Sequence, residues 1–411
     1  MTASQPIRIL RIIARLNIGG PAIQAISLSD HLSGDGYKTL LVCGKVAPHE
    51  GDMAYFAEEK GVEPVILPKM GREITPLGDM KSLVDLRRII KQFKPHIIHT
   101  HTAKAGTLGR LAGFSINLVR RSDARIRLVH TFHGHIFHSY FGSLRTRLFI
   151  QMERLLSRFT DRIIVISPLQ QHDICWRYRI ASSEKVRIIQ LGFDLSNFEG
   201  RENHRKEVRE RYMIQEGQSV LLVGIIGRLT EVKNHRVLLE AAKSLKARGQ
   251  SKCFKFLVVG DGELRQDLIT YARELGVQDS VILSGWQKDM PSIYNALDIV
   301  ALTSLNEGTP VSLIEAMASA RPVVATDVGG VRDLMGFIDE ESEDGYTLAQ
   351  HGILVPSGNG EALARALSFL YENRKASEEM AERGRKFVLN QYSLERLVKD
   401  IKSLYKEILS R

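Results

Sequence analysis

The stretch Val220-Leu221-Leu222-Val223-Gly224-Ile225-Ile226-Gly227-Arg228-Leu229-Thr230-Glu231-Val232-Lys233-Asn234 decides the fold. Val220–Ile226 is continuously apolar apart from one glycine, which is the pattern of a strand buried on both faces; a strand with one wet face would alternate. A glycine ends the run, and a helical pattern follows over Val232–Arg248. Strand, turn and helix in this order form the repeating unit of a parallel sheet with right-handed crossovers. The same rhythm continues with strands predicted at Phe254–Val259, Val281–Leu283, Ile299–Leu302, Val323–Ala325 and Ile353–Val355. Helices are expected at Leu264–Leu275, Met290–Leu297, Pro310–Ser319 and Glu361–Glu372, and the tail from Ser377 to Arg411 is helical in propensity. Upstream, strands are expected at Ile7–Ile13, Thr39–Gly44, Val62–Leu67, His96–His101, Arg127–Phe132, Arg162–Ser167 and Val186–Leu191, with helices such as Ala22–Leu32 and Gly78–Phe93 between them.

Between the two series lies Gly192–Gln218, polar and rich in charge, which reads as a linker with a short helix. A chain of 411 residues exceeds what one core holds, about 250–300 residues. The predicted fold is therefore α/β, two doubly wound Rossmann-like domains. The first is expected over 1–195, a linker over 196–218 and the second domain over 219–392. Open parallel sheets bind ligands beyond the carboxyl ends of their strands, so two such domains are expected to face a central cleft.

Apolar residues make up 44% and charged residues 25%, which fits an average soluble globular chain and argues against disorder or coiled coil as the main architecture. No run of about 18 apolar residues occurs. Ile7–Ile13 is interrupted by Arg8 and Arg11, unlike a signal peptide. The three cysteines, Cys43, Cys175 and Cys253, are too few and too scattered for a disulfide framework or a cysteine zinc site. A cytoplasmic protein is expected. The formal net charge is +10, and between Arg110 and Arg187 there are 14 Lys or Arg against 5 Asp or Glu. Such a stretch suits an anionic membrane surface or phosphorylated small molecules, or is a solvated face. Nucleic acid is disfavoured because no stacking aromatics interleave with the basic residues.

Four groups of residues carry chemistry. Gly19-Gly20-Pro21 follows the first strand and opens a helix, where bare backbone and free N–H groups can approach an anion. Dinucleotide binding is not indicated, since G-x-G-x-x-G is absent. Arg228 and Lys233 flank a strand-to-helix turn and can both reach one phosphate, the arginine as a fork and the lysine as a point charge. In Glu307-Gly308-Thr309-Pro310-Val311-Ser312-Leu313-Ile314-Glu315, Thr309 suits an N-cap and Pro310 the first helical position. The amides from Gly308 to Val311, proline excepted, then form an anion-binding helix end between two carboxylates suited to hydroxyls, so the ligand carries both sugar and phosphate. The alternative is two solvated carboxylates on a capped helix. Finally, 7 of the 13 histidines lie between His96 and His138. His133-x-His135-x-x-His138 invites zinc, but no Asp or Glu occurs between Asp123 and Glu153 to complete a ligand set locally.

The glutamate pair, the Gly-Arg-…-Lys-Asn turn, Gly260-Asp261-Gly262 and the Gly19-Gly20 loop resemble those of family-4 retaining glycosyltransferases with the two-domain GT-B fold. The likeness runs over nearly the whole chain and is closest in Val220–Gly330. What it implies is specific. Arg228 and Lys233 hold the diphosphate of a nucleotide-sugar, Glu315 the ribose hydroxyls, and Glu307 the donor sugar beside Gly308, Thr309, Pro310 and Val311. Trp286 lies near the base. Gly19 and Gly20 close over the diphosphate, His133 reaches the sugar, and the last helix, 393–411, crosses back to the first domain. Catalysis would rest on Glu307, His133, Arg228 and Lys233. Pro21 and the additional histidines depart from the family pattern.

His99-Thr100-His101-Thr102 and Thr131 to Tyr140 are similar to segments of polysaccharide-assembly members, which implies a sugar or lipid-linked acceptor and a peripheral place at the inner face of the plasma membrane. The leaving diphosphate accepts the acceptor's proton on the same face, its developing charge met by the two cations, so neither a cofactor nor a metal is expected. Alternatives are a nucleotide-sugar epimerase or hydrolase of similar fold, a non-catalytic sugar-phosphate binder, and a zinc hydrolase using the histidine-rich segment.

Overall fold

The structure, a computed structural model, describes residues 5–34, 36–46, 51–71, 73–121, 124–133, 143–198, 202–214 and 220–410. The chain divides into two units, Met1–Phe193 with Leu394–Arg411, and Asp194–Ser393.

The first unit is built on seven strands: β1 (Ile7–Arg15), β2 (Tyr37–Gly44), β3 (Val65–Leu67), β4 (Ile97–His101), β5 (Arg127–Thr131), β6 (Arg162–Val165) and β7 (Val186–Ile188). Their order is β3-β2-β1-β4-β5-β6-β7, and every pairing is parallel. The order reverses between β1 and β4, so the ends of these strands form the ligand crevice of a doubly wound sheet. Apolar side chains fill both faces: Leu10, Ile12, Ile98 and Leu128 meet the helix Ala103–Asn117 on one side. On the other, Ile9, Ile97, Val129 and Ile164 meet the last helix, Leu394–Leu409. That helix buries Leu394, Leu397, Val398, Ile401, Leu404, Tyr405 and Ile408, a stripe at helical spacing. The Arg396 guanidinium donates to the Gln190 carbonyl at 3.0 Å and to that of Leu191. The expected return of the C-terminal helix to the first domain is therefore a packing fact of this unit.

The second unit repeats the design with β8 (Leu221–Ile226), β9 (Phe254–Val259), β10 (Val281–Gly285), β11 (Ile299–Leu302), β12 (Val323–Thr326), β13 (Ile338–Glu341), β14 (Thr347–Ala349) and β15 (Gly352–Val355). The order is β10-β9-β8-β11-β12-β15-β14-β13. Strands from β10 to β15 are parallel, and β14 and β13 add an antiparallel hairpin. Here the switch point lies between β8 and β11. The helix Glu202–Arg211, within the stretch read as a linker, is held by Arg205 and Arg209, which both pair with Asp298. Burial pushes the Asp298 carboxyl up, but these two guanidiniums and the Leu222 N–H outweigh it and hold the group below the usual range.

Three local readings are corrected. The helix expected from Val232 begins at Arg236, because Asn234 turns left-handed (φ 45°, ψ 51°) after a short 3₁₀ turn over Glu231–Lys233. The β13–β14 hairpin had no apolar period: β13 is Ile338-Asp339-Glu340-Glu341, exposed throughout, a charged edge that discourages further pairing. The helix after Glu307 begins at Val311. Pro310, at ψ 108°, is its cap, and the Thr309 side chain caps nothing.

Candidate functional site

At the switch point of the second unit, the loops after β8 and β11 lie side by side. The Val232 carbonyl accepts the Leu305 N–H at 2.8 Å, and the Thr303 hydroxyl donates to the Lys233 carbonyl at 2.9 Å. These ties bring together two of the predicted residues directly: Lys233 Nζ donates to Glu307 Oε1 at 2.6 Å, and Ser304 Oγ donates to the same oxygen at 2.6 Å. The stem of Lys233 passes over Gly227, within 3.5 Å of where a Cβ would be. Arg228 stands in the same turn, exposed, with no ion pair among the described residues.

The loops are shaped by backbone approaches that only glycine permits. A Cβ on Gly260 would lie 2.0 Å from the Gly227 carbonyl oxygen, and one on Gly330 would lie 1.7 Å from that of Gly308. The Gly330 N–H in turn donates to the Glu307 carbonyl at 3.1 Å, fixing the height of the Glu307 loop. The helix Val311–Ala318 rises from this loop; the Leu313 N–H donates back to the Pro310 carbonyl at 3.2 Å, which leaves those of Val311 and Ser312 ahead of the intrahelical ladder. Gly308, Thr309 and Pro310 precede it as an irregular turn, and the cap is Pro310 where Thr309 was expected.

Glu315 sits one turn into that helix, where Tyr294, itself fully buried, donates to its Oε2 at 2.9 Å. Burial pushes the Glu315 carboxyl up to about 7, against the lowering effect of the Tyr294 hydroxyl. A group poised there exchanges a proton near neutrality. Trp286 is not drawn into this cluster: it follows edge strand β10, two strands from β8, and is 46% exposed.

In the first unit Gly19 and Gly20 follow β1 and His133 follows β5. Gly20 begins the helix Gly20–Leu32 with Pro21 in its first turn. His133 follows β5, its Nε2 2.8 Å from His101 Nδ1. His101 closes β4 and is followed by Thr102 at φ 68°, ψ 157°, a region rarely entered by residues with a Cβ. The Thr102 hydroxyl accepts the Ala14 N–H at 3.3 Å. Burial lowers the His133 imidazole to about 3. His135 and His138, invoked for zinc, lie outside the described residues. Among the described residues no three His, Cys, Asp or Glu side chains are grouped to hold a metal ion.

Sequence reasoning missed Tyr294, Ser304, Thr303, Gly330 and the buried partners of His133. Signals existed for two of these: Gly329-Gly330 is a doublet soon after β12, and His101 stood in the quoted run His99-Thr100-His101-Thr102. His235, beside Lys233 and 3% exposed, was also passed over; burial, and then the Lys233 charge, lower its imidazole to about 4.

Comparisons with known proteins bear on the whole chain. Residues 204–387 match the family described as glycosyl transferases group 1, and residues 18–197 match glycosyltransferase family 4. The chain is 27% identical over 386 residues, 93% of each chain, to UDP-Gal:alpha-D-GlcNAc-diphosphoundecaprenol alpha-1,3-galactosyltransferase of Escherichia coli. It is 26% identical to the capsular polysaccharide biosynthesis glycosyltransferase CapM of Staphylococcus aureus, over 83% of this chain and 84% of that one. Among solved structures it resembles Anabaena HepE in complex with UDP, at TM-score 0.78 and 20% identity over 98% of this chain and 100% of the other. Sucrose-phosphate synthase from Thermosynechococcus elongatus superimposes at TM-score 0.77 and 18% identity, over 98% and 99%. The two family matches, one on each unit, and the GT-B likeness of the whole leave one conclusion: the chain belongs to the family-4 retaining glycosyltransferases and transfers sugar from a nucleotide-diphosphate sugar.

Proposed function

We propose that the protein transfers a hexose from a uridine-diphosphate sugar to a polyprenyl-diphosphate-linked saccharide, in the assembly of a surface polysaccharide on the cytoplasmic side of the membrane. The observation that carries the donor site is the Lys233–Glu307 ion pair at the β8–β11 switch point, with Arg228 uncommitted in the same turn. A diphosphate entering this turn competes with Glu307 for Lys233, freeing the carboxylate to accept from the sugar's hydroxyls. Arg228 and Lys233 then meet the charge that develops on the leaving diphosphate, assisted by the amides of Gly308, Thr309 and Val311. Glu315, held by Tyr294, accepts from the ribose. Gly19 and Gly20 approach the diphosphate, His133 meets the sugar, and Trp286 lies toward the base. The acceptor hydroxyl attacks on the face the diphosphate leaves, and that diphosphate takes the proton. This chemistry calls on no cofactor and gives a metal no necessary part.

The acceptor reading is supported by the Escherichia coli relative, whose name specifies a diphosphoundecaprenol-linked substrate. No helix among the described residues is long and apolar enough to cross a membrane. The first unit exposes Leu118 (69%) and Val119 (87%) beside Arg120 and Arg121. Apolar side chains flanked by arginines suit peripheral docking on anionic lipid, at about 1 kcal/mol per basic residue near the surface.

The test is a panel of nucleotide-sugars by thermal shift, followed by transfer assays on lipid-linked and free saccharides. Stabilisation by uridine-diphosphate hexoses and transfer to the lipid-linked acceptor are expected. Selective stabilisation by guanosine-diphosphate sugars would refute the donor, and faster transfer to free saccharide the acceptor.

A further inference from the structure

Arg11, in the middle of β1, is fully buried and forms no ion pair among the described residues. Its charge is met by neutral acceptors. Nε lies 3.2 Å from Ser29 Oγ, and Nη1 lies 3.1 Å from His99 Nδ1 and 3.4 Å from His101 Nε2. An arginine in a protein neither loses its proton nor accepts a hydrogen bond, so it sets the direction of every bond around it. His101 Nε2, facing an N–H, must be the lone-pair nitrogen, because a proton there would oppose two donors in a buried site. Its proton is then on Nδ1, which lies 2.8 Å from His133 Nε2 and donates to it. His133 Nε2 is in turn the acceptor, and the His133 proton is on Nδ1. That atom is buried and has no hydrogen-bond partner among the described residues.

His99 is fixed the opposite way. Its Nδ1 faces Arg11 and the Tyr405 hydroxyl at 2.6 Å, and its Nε2 donates to Thr131 Oγ1 at 2.7 Å. The rings of His99 and His101 stack at 4.4 Å, so neither can rotate to exchange its nitrogens without breaking the stack.

We propose that Arg11 and His101 are positioning residues that lock His133 in the tautomer with its proton on Nδ1, so that His133 presents a neutral N–H donor to an oxygen of the sugar substrate. The contact with substrate rests on the reading of His133 given under Proposed function; the tautomer rests on the geometry alone. Burial keeps the three imidazoles far below their ordinary value, so the donor is uncharged at neutral pH. A neutral donor suits an oxygen that gains little charge, and it does not compete with Lys233 for the diphosphate.

The experiment is a two-bond proton–nitrogen correlation spectrum of the full chain labelled with ¹⁵N-histidine, without ligand, at about pH 7.5, where a histidine with the ordinary value near 6.5 is largely neutral. His101 and His133 are expected with the proton on Nδ1, and His99 with the proton on Nε2. His133 protonated on Nε2 would overturn the proposal. In His101→Phe the ring stack is retained and the donor lost. The His133 proton should then redistribute toward Nε2 and transfer should fall about tenfold, the worth of one hydrogen bond. His101→Asn, which keeps an amide N–H near the position of Nδ1, should retain both tautomer and rate. An unchanged His133 tautomer in His101→Phe would overturn the relay. If the tautomers are as proposed but His133→Ala transfers at the full rate, the substrate contact falls and the tautomer assignment stands.

Discussion

The two units share a strand order through the switch point, yet they place opposite chemistry at the strand ends. The first buries Arg11, His99, His101 and His130 completely at the centre of its sheet. Burial is the leading cause that holds those three histidines well below their ordinary value. The second places a carboxylate, Glu315, where burial raises it to about 7, and offers its cations, Arg228 and Lys233, on a turn open to solvent. The buried histidines of the first sheet resist taking up protons, whereas Glu315 in the second unit favours it; His235 there, lowered to about 4, behaves like the histidines of the first. The same fold thus supplies a neutral hydrogen-bonded network of histidines in one unit and, in the other, the titratable and charged cluster proposed to hold the donor. Strand order fixes where a site can be, and the side chains at the strand ends decide what it binds.

The largest expected effect follows from pH. Histidines held below the unfolded value of about 6.5 stabilise the native state above that pH, and their contribution is lost as pH falls, since the unfolded chain binds protons that the folded chain refuses. Each contributes up to about 1.4 kcal/mol per pH unit below 6.5, and His99, His101, His130 and His133 act together. Glu315 has the opposite sign: its stabilising proton is fully held below the unfolded value of 4.5 and is lost as pH rises through about 7. Hydrogen exchange, corrected for intrinsic rates, should show β4 and β5 losing protection between pH 7.5 and 5.5 while β11 and β12 do not. Parallel loss in both sheets would break the contrast.

A smaller effect is expected at the glycine beneath the Glu307 loop. Gly330→Ala places a methyl 1.7 Å from the Gly308 carbonyl oxygen, and the backbone must move, at a cost of about 1–3 kcal/mol. Gly71 in the first unit has its nearest atom at 4.0 Å and should accept alanine with little change. Denaturant midpoints for the two variants decide this, and nucleotide affinity should weaken only in Gly330→Ala.

Smaller still is the coupling between Arg228 and Lys233. Removal of either leaves the other cation and the helix end in place, so the double variant should depart from the sum of the single ones by about 0.5–3 kcal/mol in diphosphate affinity. Strict additivity would mean that the two do not share one group.

Strands such as β8, β11 and β12 were legible in sequence because strands buried on both faces read as apolar runs. Glu307, Arg228 and Lys233 drew attention because charged residues soon after such runs are conspicuous, and Glu315 because it follows Glu307 across a Gly-Thr-Pro turn. The hairpin β13–β14 was not, because β13 is exposed and charged and β14, Thr347–Ala349, is too short to carry an apolar period. Nor was the role of Arg11. Arg11, like Arg8 in the same strand, looks like an interruption until the pairing of β1 with β4 sets it opposite His99. Tyr294 was hidden for a similar reason: its helix reads as apolar, and only the packing turns the hydroxyl to Glu315.

The central claim is that the second unit divides nucleotide and sugar recognition between Glu315 and Glu307, and titration calorimetry with uridine diphosphate tests it most directly. Glu315→Ala should weaken the diphosphate by about 1.5–3 kcal/mol, the range for hydrogen bonds to a charged group. Glu307→Ala releases Lys233 from its ion pair. It should therefore leave diphosphate affinity unchanged or improved while transfer falls by orders of magnitude, since contacts to the reacting sugar count in the transition state. Equal loss of diphosphate binding in both variants would contradict the account.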